Sequence, residues 1–425
     1  GRKIKIPLDL RVLYWGRLMD TKRQVQKADM KPDELAVILY SGGTTGKPKG
    51  IMLSSHNFNC LAAMTAQQGS AITGHLKPGD SMLSILPLFH GFGLGVCIHT
   101  FLAYGGKCIL VPKFNAEIVG KLIKKERPQY MVGVPTLYEA LLTNDKIRSA
   151  DLSSMKGVYA GGDAVPRSIK ERFDQLLKEG GAQIELREGY GLTECVTVCL
   201  VMPEGAYREK SIGVPYPDIM AKIVKLGTTI EQEPGEEGEI CISGPTVMLG
   251  YLDDPEETAK VLKVHEDGRL WLHTGDLGTM DTDGFFYFRL RLKRMLKVSG
   301  VSVYPSQVED VLNSHPAVSM ACVIGVPDRY QIQKVKAFIV LKDPSQEGPE
   351  LKKELLDLCK EKLIRWAWPR EIEFRTELPK TRVGKIAFTE LEREELTLAR
   401  ERGDFEAEVR ADIIRSQEEM LPREE

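Results

Sequence analysis

Behind the apolar run "LAVIL", residues 40–50 read "YSGGTTGKPKG". Glycines leaving a buried strand let bare backbone N–H groups approach an anion. Gly42, Gly43 and Gly46 supply that freedom, Ser41, Thr44 and Thr45 add hydroxyl donors, and Lys47 and Lys49 add charge. A loop of this kind suits phosphate. It is not the familiar P-loop, which needs a glycine five residues before its Gly-Lys pair and a Ser or Thr after it. Ser41 and Pro48 stand at those positions. A plain solvated turn would explain glycine and proline but not the adjacent threonine hydroxyls.

Six further polar clusters follow in order: "PLFHGFGL" at 87–94, "AGGDAVP" at 160–166, "GYGLTE" at 189–194, "LHTGDLG" at 272–278, "RLKRMLKVSG" at 291–300 and "PKTRVGK" at 379–385. With the glycine loop, this ordered set resembles the AMP-forming adenylate superfamily of acyl-CoA synthetases, peptide-synthetase adenylation domains and luciferases, over about residues 30 to 392. The resemblance implies that the glycine loop holds the β- and γ-phosphates of ATP. It implies that Gly161 and Gly162 wall the adenine and acyl pocket, with Asp163 near the adenine edge. Tyr190, beside Gly191, offers a flat face to adenine, and Thr193 offers a hydroxyl to phosphate. Glu194 and Thr45 supply the hard oxygens that Mg²⁺ prefers. Asp276 matches the carboxylate that accepts both ribose hydroxyls, a task suited to a two-oxygen acceptor, and Arg291 matches the arginine that assists it.

His90 falls where the family carries a histidine before a gate between the ATP and acyl sites; a histidine in an apolar stretch is also commonly a satisfied core residue. No catalytic base is required. The nucleophile is the substrate's own carboxylate, ionised at neutral pH from an ordinary pKa of about 4.3, and its attack on the α-phosphate needs charge stabilisation. Lys385 is the residue expected to supply it. Lys293 matches the hinge of a rotating small domain, and Lys297 and Gly300 lie on the CoA-side face that replaces Lys385 after rotation. Ser41 and Gly42 stand where many members have Thr and Ser, and in the hinge segment Leu290 replaces a glycine and Arg294 stands where an acidic residue is common.

Those residues need elements to hold them. From Leu35 to about Glu188, short apolar runs alternate with helical patterns such as "AEIVGKLIKKE" and "RSIKERFDQLLKE". This predicts an α/β fold of crossover units on a largely parallel sheet. Between about 211 and 290 the pattern becomes glycine-punctuated strands, which predicts an antiparallel, β-barrel-like module. The expected organisation is a stub at 1–30, an adenylation domain at 31–290 with its α/β part ending near 210, a mobile C-terminal α+β domain at 291–392, and a charged tail at 393–425.

Composition narrows the partners. With 58 basic and 60 acidic residues and no basic stripe, nucleic acid has no electrostatic footprint. The eight cysteines show no C-x-x-C pair, which favours a reduced, cytoplasmic protein. The uncharged stretch 81–106 carries Pro87, two histidines and several glycines, so it reads as strand, turn and helix rather than a membrane span. The chain begins at Gly1, and the long segment that the family carries upstream of the glycine loop is missing. The expectation is a piece of a longer polypeptide with strands near that loop left uncovered.

By resemblance, the expected reaction is adenylation of a small-molecule carboxylic acid by ATP with Mg²⁺, followed by thioester formation with coenzyme A. A fatty acid is the favoured substrate. The alternatives are an aryl acid, an acyl-carrier protein as the thiol, or an inactive nucleotide-binding remnant.

Overall fold

The computed structural model describes residues 29, 31–41, 49–67, 74–328, 332–381 and 386–401. Its first two strands, β1 (Leu35–Ser41) and β2 (Lys49–Ser54), pair antiparallel with Ser41 opposite Lys49. This corrects the expectation that the run from Leu35 opens the parallel sheet. Residues 42–48 are too few for a crossover, which needs a dozen residues or more, so the glycine loop joins neighbours in a hairpin. Ser54 and Asn57 then cap the helix Ser55–Gln67 reciprocally: Asn57 Oδ1 accepts from Ser54 N at 2.8 Å and Ser54 Oγ from Asn57 N at 3.1 Å.

The main sheet follows. β3 (Ser81–Ser84), β4 (Lys107–Leu110), β5 (Tyr130–Gly133), β6 (Gly157–Gly161) and β7 (Leu186–Tyr190) are parallel in the order β4-β3-β5-β6-β7. β8 (Leu200–Val201) and β9 (Val214–Pro215) extend it antiparallel. Alternate residues feed two cores, as a sheet covered on both faces requires. Met82, Tyr130 and Val132 pack with Phe58, Val96 and Phe101, whereas Leu83, Met131 and Val158 pack with Val119, Tyr138 and Phe173. The uncharged stretch 81–106 contains β3 and a helical segment from Phe92 to Ala103 whose first nine residues are π-wound. Among the described residues no helix is long and apolar enough to cross a membrane.

β10 (Met220–Val224), β11 (Gly238–Ser243), β13 (Leu262–Val264), β14 (Leu270–Met280) and β15 (Phe286–Arg291) form an antiparallel sheet in which long β14 pairs with β11, β13 and β15. β12 (Gly250–Tyr251) leaves it to pair with β2, so the hairpin is tied to the antiparallel module. A last sheet combines β16 (Leu296–Val298), β17 (Val301–Val303), β18 (Val318–Asp328), β19 (Ile332–Leu341) and β20 (Glu371–Phe374), packed by the helices Pro305–Asn313, Pro349–Lys362 and Phe388–Glu401. The mixed α/β architecture with its large, mostly parallel sheet is the one expected from the alternation of runs.

Candidate active site

Asp276 sits in β14 directly opposite Arg291 of β15. Its side chain is fully buried, and three protein donors reach it: Arg291 Nε to Oδ1 at 2.9 Å, Arg291 Nη2 to Oδ2 at 3.4 Å, and Tyr190 Oη to Oδ2 at 2.7 Å. Tyr190 is the last residue of parallel strand β7, so this triad bridges the parallel sheet and the antiparallel sheet of β14 and β15 at a strand end, where open α/β sheets bind ligands. The Asp276 carboxylate holds the Arg291 guanidinium above its ordinary range, and burial with that same carboxylate pushes the Tyr190 phenol well up. Half of the Arg291 side chain remains exposed (48%). Arg291 is therefore the partner able to yield to an incoming hydroxyl.

The strand end bends sharply after Tyr190. A Cβ on Gly191 would lie 1.5 Å from the Thr197 carbonyl oxygen, so no other residue fits. Thr193 and Glu194 follow in a single tight turn, closed by Val196 and Thr197 at φ 50° and 89°, a left-handed pair that β-branched residues rarely adopt. Glu194 Oε1 accepts from Tyr251 Oη at 3.0 Å, and Glu194 O accepts from Met248 N at 2.8 Å. Burial and the Glu194 carboxylate raise the Tyr251 phenol. Lys49, just past the glycine loop, lies over the Tyr251 ring at 4.8 Å and pairs with Glu257. Tyr251 thus links the first residue after the loop to the acidic residue of "GYGLTE", a link that no local pattern signalled.

The "PLFHGFGL" segment meets the same turn. A Cβ on Gly91 would lie 2.3 Å from Thr197 Oγ1, and one on Gly161 would lie 3.3 Å from the Phe92 ring. His90 Nδ1 accepts from Phe92 N at 3.2 Å, a bond that steadies the start of the π-wound helix. Gly161 ends β6 opposite Gly189 of β7, Gly162 follows at φ 87°, and exposed Asp163 accepts from its neighbour Ala164 N at 2.9 Å. Glu188 lies on the same edge in β7. Burial pushes its carboxyl up to about 7, against a backbone N–H from Val165 and the charge of Lys170, which pull it down.

Behind Asp276, the turn is braced from the far side. Thr274 Oγ1 donates to Ile240 O at 2.7 Å and accepts from Asp276 N at 3.1 Å. Glu239 accepts from Gly275 N at 2.9 Å through one oxygen and pairs with His273 Nδ1 at 2.7 Å through the other. His273 Nε2 meets His265 Nε2 at 3.0 Å. Burial drives His265 down to about 4, and Lys222 and His273 add to the shift. No local motif marks Glu239 or His265.

The structure brings together Tyr190, Gly191, Thr193, Glu194, Asp276, Arg291, His90, Gly161 and Lys49. Residues 42–48, and with them Gly42, Gly43, Thr44, Thr45, Gly46 and Lys47, lie outside the described residues, as does Lys385; Ser41 is described as the last residue of β1. Lys293 lies in the short turn Leu292–Arg294 between β15 and β16. Ser299 and Gly300, at φ 51° and 80°, form the two-residue turn between β16 and β17, and Lys297 Nζ reaches Ser302 Oγ at 2.8 Å. Leu290 is buried opposite Leu277, and Arg294 pairs with Glu309 at 2.7 Å, donates to Val323 O and stacks over Phe388 at 4.6 Å. The residue that replaces an acid therefore anchors the connecting segment into the C-terminal sheet.

Two family models match the chain: the AMP-binding enzyme over residues 5–252 and the AMP-binding enzyme C-terminal domain over residues 307–385. The chain belongs to the AMP-binding enzyme family. A long-chain-fatty-acid–CoA ligase of Bacillus subtilis (strain 168) is 40% identical over 373 residues, 87% of this chain and 63% of the relative. A feruloyl-CoA synthase of Amycolatopsis sp is 37% identical over 390 residues, 89% of this chain and 75% of the relative. Among solved structures, the anthranilate CoA ligase AuaEII in complex with anthranoyl-AMP superposes with a TM-score of 0.75 at 30% identity, covering 88% of this chain and 70% of that one. The chain thus spans somewhat under two thirds of the length of the fatty-acid ligase relatives it matches.

Proposed function

We propose that this chain carries the adenylating machinery of an ATP-dependent acid–thiol ligase: a carboxylate and ATP give acyl-AMP and pyrophosphate, and coenzyme A then displaces AMP to give the thioester. The observation that carries this reading is the meeting of Tyr190, Asp276 and Arg291 at the end of a parallel strand, with Glu194 a few residues further along the same turn. In this reading Asp276 accepts the ribose hydroxyls as Arg291 swings aside, and the Tyr190 ring, pinned by its hydroxyl, lies against adenine. The glycine loop, with Ser41 at its start and Lys49 just past its end, holds the outer phosphates, with Thr193 contributing a hydroxyl. Gly161, Gly162 and Asp163 border the pocket. His90 orders the helix start beside it.

Mg²⁺ fits the donor set, since Glu194 is a hard carboxylate ligand with one oxygen oriented by Tyr251 and Thr45 lies in the phosphate loop. When bound, the ion would neutralise phosphate charge. Lys385 would bridge the acid and the α-phosphate, and Lys293 would be the pivot that brings Lys297 and Gly300 to the site for thioester formation. The domain limits that follow are 31–290 and 291–392.

The named activity of the Bacillus subtilis relative supports a long-chain fatty acid, while the feruloyl and anthranilate relatives support an aryl acid. ATP–pyrophosphate exchange across a panel of fatty and aryl acids tests the reaction and separates the two. Exchange should appear with one acid class and fall about 10²–10³-fold in Lys385→Ala. Exchange unaffected by Lys385→Ala would overturn the assignment of that residue, and failure to bind ATP at all would overturn the reading itself.

A further inference from the structure

Cys241 of β11 and His273 of β14 are direct cross-strand partners, and His265 begins the turn between β13 and β14. One ligand atom from each of the three lies within 4.8 Å of the other two, and all three side chains are buried. They are a thiol and two imidazoles, the donor set of a borderline-soft divalent ion rather than of Mg²⁺. We propose that Cys241, His265 and His273 form a binding site for a Zn²⁺-class transition metal, distinct from the nucleotide site and placed behind it.

Three independent features point the same way. Glu239 pairs through Oε2 with His273 Nδ1 at 2.7 Å, the carboxylate–histidine arrangement that fixes a ligating ring with its other nitrogen turned to the metal. The proton count then leaves a gap. With Nδ1–H given to Glu239, His273 Nε2 holds a lone pair, so the 3.0 Å contact requires His265 Nε2 to be the donor. His265 Nδ1 is left a lone pair, and it is a buried nitrogen with no hydrogen-bond partner. A cation taken between the rings replaces that hydrogen bond at the two Nε2 atoms, and the His265 ring proton moves to Nδ1, where no protein contact is broken. The third feature is access: His265 N donates to Arg269 O across a surface turn through Glu266, Asp267 and Gly268, so a small movement of that turn admits an ion.

The rearrangement is modest. Tetrahedral bonds of about 2.0–2.3 Å put ligand atoms roughly 3.3–3.6 Å apart, so the histidine nitrogens must open slightly and the widest pair must close. The Cys241 thiol loses its proton to solvent as its sulfur bonds the metal. Two lysines lie nearby, Lys263 opposite Trp271 in β13 and Lys222 opposite Cys241 in β10; the Lys222 ammonium lies over the Trp271 ring and between Glu231 and Asp267, at 3.8 and 3.9 Å, which offset its charge. Because Glu239 also holds Gly275 N, metal at this site would stiffen the turn that carries Asp276.

The test uses the full chain, freed of metal by a chelator and titrated with Co²⁺ without ATP or Mg²⁺, so it is independent of the proposed reaction. One equivalent of Co²⁺ should bring an intense tetrahedral visible spectrum and a thiolate-to-cobalt charge-transfer band, both abolished by Zn²⁺. Cys241→Ser should lose the band and about 100-fold or more in affinity. Cys60→Ser should keep both, although Cys60 also lies near a histidine, His56, at 3.5 Å. His265→Asn is the second ligand variant, in case Cys241→Ser does not fold. It should weaken Co²⁺ binding by a similar factor. In the unaltered chain Zn²⁺ should raise the thermal midpoint and Mg²⁺ should not. No charge-transfer band in the unaltered chain, or a band lost in Cys60→Ser and kept in Cys241→Ser, would overturn the proposal.

Discussion

Asp276 and Glu239 are both buried carboxylates at the Thr274–Gly275–Asp276 turn, yet they are compensated in different ways. Asp276 faces Arg291, a permanent cation with half of its side chain in solvent, and the hydroxyl of Tyr190 at a sheet end. Glu239 faces His273 and the backbone N–H of Gly275, both interior groups, inside the antiparallel sheet. A carboxylate whose strongest partner can swing into water can exchange that partner for a ligand; one whose partners are backbone and a packed ring cannot. The first arrangement is fit for binding and the second for holding shape.

The sharpest way to break that contrast is to remove each carboxylate in turn and ask which property fails. Asp276→Ala deletes the proposed acceptor of two ribose hydroxyls and should cost about 3 kcal/mol of nucleotide affinity, roughly 100-fold. Its effect on stability should be smaller, since Arg291 regains water. Calorimetric titration with AMP and a denaturation curve on the same variant check both halves. Equal affinity for variant and parent would remove Asp276 from the nucleotide site.

Glu239→Gln makes the converse case. A glutamine offers one oxygen and one NH₂ where two donors, His273 Nδ1–H and Gly275 N–H, now find oxygens, so one buried donor must face another. The expected cost is ~2 kcal/mol of folding stability with AMP affinity within a few-fold of the parent. If instead affinity falls as far as in Asp276→Ala while the unfolding midpoint holds, the two carboxylates act as one unit and the contrast is wrong.

Much of the binding side was legible because it is local. "GYGLTE" and "LHTGD" put Tyr190, Glu194 and Asp276 within short motifs, and the alternation of apolar runs with amphipathic helices marked the parallel sheet. The first strand departs from the expected parallel sheet because an apolar run has no direction of its own; only the shortness of the following loop makes it a hairpin. The holding side was illegible for a related reason. Glu239, His265, Tyr251 and Glu257 acquire meaning from pairing across strands or over about two hundred positions of sequence, as in Lys49 with Glu257, and nothing near them in the chain announces it. Arg294 looked like a fault in the hinge pattern, but its partner Glu309 sits on the next helix and turns the exchange into an ion pair.

A third carboxylate extends the contrast and gives the smallest effect. Glu188 has neither a contacting guanidinium like Asp276 nor a histidine like Glu239: burial dominates, and the carboxyl rises from an ordinary 4.5 to about 7. The sign follows from proton counting. Below 4.5 the group is protonated in both folded and unfolded chains and costs nothing relative to glutamine. As pH rises from 4.5 to about 7 the unfolded chain releases the proton first, so stability falls, and above about 7 both states are ionised and the loss is constant. Glu188→Gln should therefore match the parent near pH 4.5 and exceed it at pH 8 by ~1–2 kcal/mol, less than the full shift implies because the side chain keeps some solvent contact. Urea denaturation of both proteins at the two pH values reads the difference directly. A gain of the same size at both pH values would mean that glutamine packs better, and that burial of charge is not what separates Glu188 from the two carboxylates with side-chain partners.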